Sequence, residues 1–167
     1  PGSLSIALRP QFASWLGWLV RRHETLVFVI DDNQDRAELI RQCLTIGYED
    51  LAGELGGGVD AWAAKGHPVG RIPLATPPEL DNRRTLDVRQ AAEYAAGHVP
   101  GAIHLELGAL PARLDAVPAD SVTVMCGHGE RAMTGASILA AAGRQDVSVL
   151  VGGPDDWARY REAPLAT

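Results

Sequence analysis

Cys126 opens the run Cys126-Gly127-His128-Gly129-Glu130-Arg131, which sets a thiol and a guanidinium at either end of four residues, two of them glycines. A helix N-terminus and a nearby cation favour the thiolate, the nucleophilic form of cysteine. A curled, glycine-containing loop also aims its backbone N–H groups inward and so favours anions. Such a loop can hold a transferable sulfur or a small anion. The second thiol, Cys43, lies in Ala37-Glu38-Leu39-Ile40-Arg41-Gln42-Cys43-Leu44, an amphipathic helical pattern in which it is expected to be a small buried hydrophobe.

The loop needs elements to position it. Val122-Thr123-Val124-Met125 reads as a strand delivering the chain to Cys126, and Arg131 to Ala142 reads as a helix ending at Gly143. Upstream, Thr85-Leu86-Asp87-Val88-Arg89 is predicted as a strand and Gln90 to Ala96 as a helix. Gly97 to His104 follows as a turn and strand, and Leu105 to Val117 as a helical stretch. Val147 to Val151 is predicted as a strand and Pro154 to Arg161 as a last helix. Short apolar strands alternating with helices imply an α/β fold, a parallel sheet with helices on both faces. Ligands of such sheets sit at the carboxyl ends of the strands, where Cys126 falls.

The chain also matches itself. Arg36 and Arg131 stand 95 positions apart, as do Gly57-Gly58 and Gly152-Gly153, and Trp62 and Trp157. Each half ends on Gly-Gly-x-x-x-Trp, and Pro1-Gly2-Ser3-Leu4-Ser5-Ile6 echoes Pro100-Gly101-Ala102-Ile103-His104-Leu105. Two related domains are therefore expected: residues 1–69, a linker over 70–84 carrying Pro73, Pro77 and Pro78, and residues 85–167. The first lacks a counterpart of Thr85 to Val99, so it is expected to be truncated at its start and the chain to be a fragment of something longer. Trp62 and Trp157 are expected to anchor the last helix of each half in the core.

Composition narrows the function. Over 167 residues, 46% hydrophobic content suffices for a packed core, and a net charge of −6 argues against nucleic acid or an acidic membrane as main partner. No apolar run reaches membrane-spanning length, Trp15 to Val20 being the longest candidate. Two cysteines without CxxC or zinc spacing point to a reducing, cytoplasmic compartment. His23, His67, His98, His104 and His128 are dispersed, so no metal and no cofactor is expected in this chain.

The second half closely resembles the rhodanese (sulfurtransferase) family. The matching stretches are Leu86-Asp87-Val88-Arg89, Gly97-His98-Val99-Pro100-Gly101-Ala102, Cys126 to Arg131 and Gly152 to Trp157, in family order. The first half resembles a second, degenerate rhodanese domain. Its loop reads Asp31-Asp32-Asn33-Gln34-Asp35-Arg36, with Asp31 where the cysteine should be, and a carboxylate cannot carry a persulfide. Phe12 to Val20 is similar to metallo-β-lactamase-fold proteins fused to tandem rhodanese domains, which implies such a domain, covalently linked, upstream of Pro1.

The resemblance implies that Cys126 takes sulfane sulfur from a small donor, thiosulfate or a low-molecular-weight persulfide, and passes it to a thiol or cyanide acceptor. It implies that Gly127, His128, Gly129 and Glu130 line the substrate loop, that Arg131 shapes it and adds charge, and that Asp87 and Arg89 brace it. His128 and Glu130 either tune donor and acceptor choice or point to water. Glu130 is expected to disfavour strongly anionic donors. His98 is expected to be a turn residue. Two other functions compete: a non-catalytic module that docks or regulates the upstream metallo-hydrolase domain, and a phosphatase. The phosphatase pattern needs five residues between Cys and Arg, and this loop has four.

Overall fold

The computed structural model describes residues 2–80 and 83–167 and divides into two compact units, Ala7–Gly70, and Pro1–Ile6 together with Arg71–Thr167. In the unit Ala7–Gly70 the order is α1 (Phe12–Leu19), β1 (Leu26–Phe28), α2 (Arg36–Thr45), β2 (Leu51–Glu54) and α3 (Gly58–Ala64). β1 and β2 form a two-stranded parallel sheet. Asp35 starts α2, its carboxylate accepting from the N–H groups of Ala37 and Glu38. Phe12, Trp15, Leu16, Leu39, Cys43 and Tyr48 are buried together with the polar Gln42. Gln42 holds the start of α1 by accepting from the Ala13 N–H and donating to the Arg9 carbonyl, both at 3.0 Å. The Tyr48 hydroxyl donates to the Val20 carbonyl just past the end of α1.

Trp62 departs from expectation. It is 37% exposed, donates from Nε1 to the Pro68 carbonyl at 3.0 Å and tilts against the His67 ring. β1 and β2 offer only two strands for α3 to cover, which leaves the indole half in water.

The other unit contains β3 (Leu74–Ala75), β4 (Arg84–Asp87), α4 (Ala91–Ala96), β5 (Ile103–His104), β6 (Val122–Met125), α5 (Glu130–Ala141), β7 (Val147–Leu150) and α6 (Pro154–Arg161). The five strands run parallel in the order β3-β7-β6-β4-β5. This is an α/β fold with a central parallel sheet. All four residues of β6 and of β7 are buried, as expected of inner strands of a covered parallel sheet. Helix α5 lies close on this sheet because Gly135 offers no side chain: a Cβ there would meet Val124 at 3.2 Å, Val88 at 3.3 Å and Leu110 at 3.4 Å.

Two expectations need correction. The stretch 70–84, predicted as a linker, contributes β3 to the sheet edge and a 3-10 turn, Pro77–Leu80, that buries Leu80; Asp81 and Asn82 lie outside the described residues. Pro73 is tolerated because only its carbonyl is used, accepting from the Val149 N–H at 2.9 Å. Leu105 to Val117 forms no α-helix but two 3-10 segments, Leu107–Ala112 and Leu114–Ala116. Pro111 inside the first lacks the N–H that a continued α-helix needs.

The register places the site. Asp87 pairs with both Met125 and His104, so β4, β5 and β6 end level with one another and Cys126 emerges from that edge.

Candidate functional site

Cys126 follows the last residue of β6 and is 2% exposed. Its Sγ accepts a hydrogen bond from the Gly129 N–H at 3.0 Å. Gly129 can do this because it sits at φ +98°, a left-handed conformation that glycine adopts without a Cβ clash, and from there it opens α5. Strand end, turn and helix start are thus packed into four residues around one sulfur atom.

The loop rests on the start of α6. A Cβ on Gly153 would lie 2.6 Å from the Gly127 carbonyl oxygen and 3.0 Å from that of Cys126, so the backbone of one loop is seated against the backbone of the other. The Asp156 carboxylate holds this seat by accepting from the Gly153 N–H at 2.9 Å. That hydrogen bond, helped by Arg159 and by the charge of nearby His128, keeps the Asp156 carboxyl below the usual range. His128 is exposed, whereas Gly127, Gly129 and Glu130 are half-buried. Behind the loop, Leu80, Val99, Ala102, Met125 and Leu150 form a buried cluster with Tyr94 and Trp157 packed against it. Trp157 therefore takes the anchoring place expected of it.

Arg131, in the first turn of α5, turns its guanidinium onto Glu93 of α4 in a two-pronged pair, Nη1 to Oε2 at 2.6 Å and Nη2 to Oε1 at 2.8 Å. The bond to Arg131 is the main reason the Glu93 carboxyl is lowered to about 2, burial opposing it and the Gln90 N–H adding to it. Arg131 is raised in turn, first by Glu93, and it also feels the charge of Cys126. Glu93 was not foreseen among the site residues. The local signal was there, since Gln90-x-x-Glu93 is a helix-start pattern and Glu93 does accept from the Gln90 N–H at 3.1 Å. Its second partner, 38 residues away, has no trace in sequence spacing.

A folded-state value below the unfolded one means that Glu93 adds stability above the unfolded carboxylate pKa and loses it as pH falls through the folded one. We therefore expect Glu93→Gln to flatten the decline in stability of the parent chain between about pH 4.5 and about pH 2, read by urea unfolding across that window. Parallel pH profiles for the two chains would show that the ion pair does not form.

Asp87 and Arg89 form a second, deeper pair. Asp87 is fully buried and receives Arg89 Nε at 3.0 Å, Nη2 at 2.7 Å and the Arg89 N–H at 3.0 Å. Arg89 Nη2 also donates to the Gly97 carbonyl at 2.8 Å. The Arg89 carbonyl accepts from His104 Nε2 at 2.9 Å, and the rings of His98 and His104 both stack on Tyr94. His98 also donates from Nδ1 to the Tyr94 carbonyl at 3.1 Å. Gly127 and Gly129 thus form the loop after Cys126, and Arg131 stands in the first turn of the helix behind it. Glu93 of α4 is tied to the loop through Arg131, and Asp87–Arg89 lies at the neighbouring strand end.

In the unit Ala7–Gly70, Arg36 is treated differently. It pairs with Glu54 of β2 at 2.8 Å and donates to the carbonyls of Asp31 and Gln34, closing the turn on itself, while Asp31 is exposed. Cys43 is fully buried, and burial pushes its thiol up. Among the described residues no group of three or more His, Cys, Asp or Glu could hold a metal ion, and no helix is long and apolar enough to cross a membrane.

Known proteins resemble the chain in sequence and in fold. The chain is 33% identical over 78 residues to "Putative sulfur carrier protein YrkF" of Bacillus subtilis (strain 168), a match that spans 46% of this chain and 42% of that relative. Among solved structures, a rhodanese-related protein from Thermoplasma volcanium superposes with a TM-score of 0.51 at 21% identity, covering 57% of this chain and 98% of that one. The rhodanese-like domain of the Anabaena sp Alr3790 protein superposes with a TM-score of 0.50 at 24% identity, covering 57% of this chain and 80% of that one. At these identities the likeness is one of fold. The rhodanese-like domain profile matches residues 74–160, from β3 into α6 and just over half of the chain. The chain belongs to the rhodanese-like domain family.

Proposed function

We propose that the chain is a sulfurtransferase in which Cys126 carries the sulfane sulfur. The observation that carries this reading is the sulfur of Cys126 at the end of β6, receiving the Gly129 N–H at 3.0 Å at the start of α5. The Cys126 thiolate placed there is an anion held by a fixed donor, and fixed donors stabilise charge without having to reorganise. With a persulfide donor R–S–SH, the Cys126 thiolate attacks the outer sulfur and the S–S bond breaks. R–S⁻ leaves, and the proton stays on the transferred sulfur as Cys126–S–SH. An acceptor thiolate or cyanide then attacks the outer sulfur and returns the Cys126 thiolate. The sulfur-carrier name of the Bacillus subtilis relative points to the same chemistry.

In this reading the unit Ala7–Gly70 is a silent rhodanese half. Its β1-α2-β2-α3 order parallels β6-α5-β7-α6, with Arg36 and Arg131 at the two helix starts. Asp31 stands at the cysteine's place, and Arg36 is spent on Glu54 and the local carbonyls. This half gives scaffold rather than chemistry.

The test is intact-mass analysis after incubation with glutathione persulfide. One added sulfur, about 32 Da, is expected at Cys126 and none at Cys43. An adduct confined to Cys43, or no adduct at all, rejects the proposal.

A further inference from the structure

We propose that Glu93 selects the sulfur donor: by clamping Arg131 it withdraws the loop's cation from incoming anions and commits Cys126 to persulfides rather than thiosulfate. The inference rests on Cys126 as sulfur carrier and names the substrate class of that site.

The two candidate donors differ in where they carry charge. In thiosulfate the sulfane sulfur is bonded directly to a sulfonate, and the group that departs when Cys126–S⁻ attacks is the sulfite dianion. An attacking thiolate must approach a dianion, and that approach needs a free cation beside the sulfur. In R–S–SH the group that departs is a single thiolate, and any further charge on R is remote from the breaking bond. The reaction then needs little more than a donor hydrogen bond on the attacking Cys126 sulfur, which the Gly129 N–H supplies at 3.0 Å.

The loop offers the second environment. Both terminal nitrogens of Arg131 are used by Glu93, at 2.6 and 2.8 Å, in the bidentate geometry that fits guanidinium and carboxylate best. The Arg131 side chain is 19% exposed and that of Glu93 40%, so the guanidinium is largely covered while its carboxylate partner meets water. The other arginine at this end of the sheet, Arg89, is committed to Asp87 and the Gly97 carbonyl. Glu130 brings a further carboxylate to the start of α5, in the loop itself. The two arginines at this end of the sheet are thus each paired with a carboxylate, Arg131 with Glu93 and Arg89 with Asp87, before any donor arrives. Glu93 is held in this role by its own helix, since it accepts from the Gln90 N–H at 3.1 Å and so cannot swing away without uncapping α4.

The test compares kcat/KM for thiosulfate and for glutathione persulfide in the parent chain and in Glu93→Gln. Glutamine can still accept from the Gln90 N–H and from one Arg131 N–H, but it returns the guanidinium charge to the loop. The thiosulfate-to-persulfide ratio should rise about tenfold or more in the variant. Glu106→Gln makes the same charge change beside the same helix, where Glu106 accepts from the Ala91 N–H, and should leave the ratio within about twofold.

A ratio shift below about threefold in Glu93→Gln, or an equal shift in Glu106→Gln, overturns the assignment, because Glu93 would then be loop support or bulk charge only. A measurement on the parent chain serves even if the variant fails to fold. With Arg131 masked, thiosulfate kcat/KM should not fall as salt rises from about 0.05 to about 0.5 M, whereas a free cation would make it fall steeply. A steep fall overturns the proposal. If the parent chain gains sulfur at Cys126 while the donor ratio stays fixed, only the role of Glu93 is lost. If no sulfur reaches Cys126 from either donor, both readings fall.

Discussion

Cys126→Ser should abolish sulfur transfer, by at least about a thousandfold in kcat/KM with either donor, while the chain keeps its fold. The hydroxyl is smaller than the thiol and can accept from the Gly129 N–H in the same place, so the packing of the loop survives. The chemistry does not, because an alcohol is un-ionised at neutral pH and an oxygen cannot take the sulfane sulfur into a persulfide. Cys43 provides no bypass. It is fully buried in the unit Ala7–Gly70 and its thiol is pushed up by burial, so Cys43→Ala should leave transfer within a few-fold of the parent. Rates by cyanide and thiol acceptor assays, together with thermal unfolding of each variant, decide the matter. Transfer retained in Cys126→Ser with an intact fold would move the sulfur to another atom and end the assignment.

The Cys126 loop was legible in the sequence because its signals are local. Cys126, two glycines and Arg131 sit within six residues, between a four-residue apolar run and an alanine-rich helix, and each of these signals needs only near neighbours. The inner strands β6 and β7 were equally plain, being short apolar runs bounded by turns. What was not legible depends on partners distant in sequence. Leu74–Ala75 lies in a run of three residues between Pro73 and Pro77, and only pairing with β7 makes it a strand. Pro111 was the local sign that Leu105 to Val117 would not be one helix. Trp62 and Trp157 occupy matching places in the repeat, yet only Trp157 finds a cluster of five buried residues to pack on. Arg131 was legible as the residue where the loop passes into α5, but the carboxylate it pairs with comes from a helix 38 residues earlier. Residue type declares what chemistry is possible at a position, and tertiary pairing decides whether a charge there is available.

The Gly152-Gly153 pair makes the same point and yields the second large effect. Both glycines belong to the repeated Gly-Gly-x-x-x-Trp ending, and for different reasons. Gly152 sits at φ +97°, a conformation that disfavours any side chain. Gly153 has φ −143° and ψ −165°, extended backbone open to alanine, so its need for glycine is one of contact alone. A methyl there would stand 2.6 Å from the Gly127 oxygen and 3.0 Å from the Cys126 oxygen, and neither is the end of a flexible side chain. Gly153 cannot retreat easily either, because its N–H is held by Asp156 at 2.9 Å and Pro154 starts α6 immediately after it. The relief in Gly153→Ala must therefore come from the Cys126 loop, which lifts and carries Sγ away from the Gly129 N–H. A displacement of that kind typically costs about a hundredfold in rate, and overpacking of this degree costs about 1–3 kcal/mol of stability. We expect Gly153→Ala to lose about that much activity with Cys126, Arg131 and Glu93 all unchanged. Sulfur loading of Cys126, followed by mass over time, should slow in proportion. Full activity in Gly153→Ala would mean that the loop does not depend on the start of α6 for its shape. Lost stability with unchanged turnover per folded molecule would confine the contact to folding and leave the sulfur where it was.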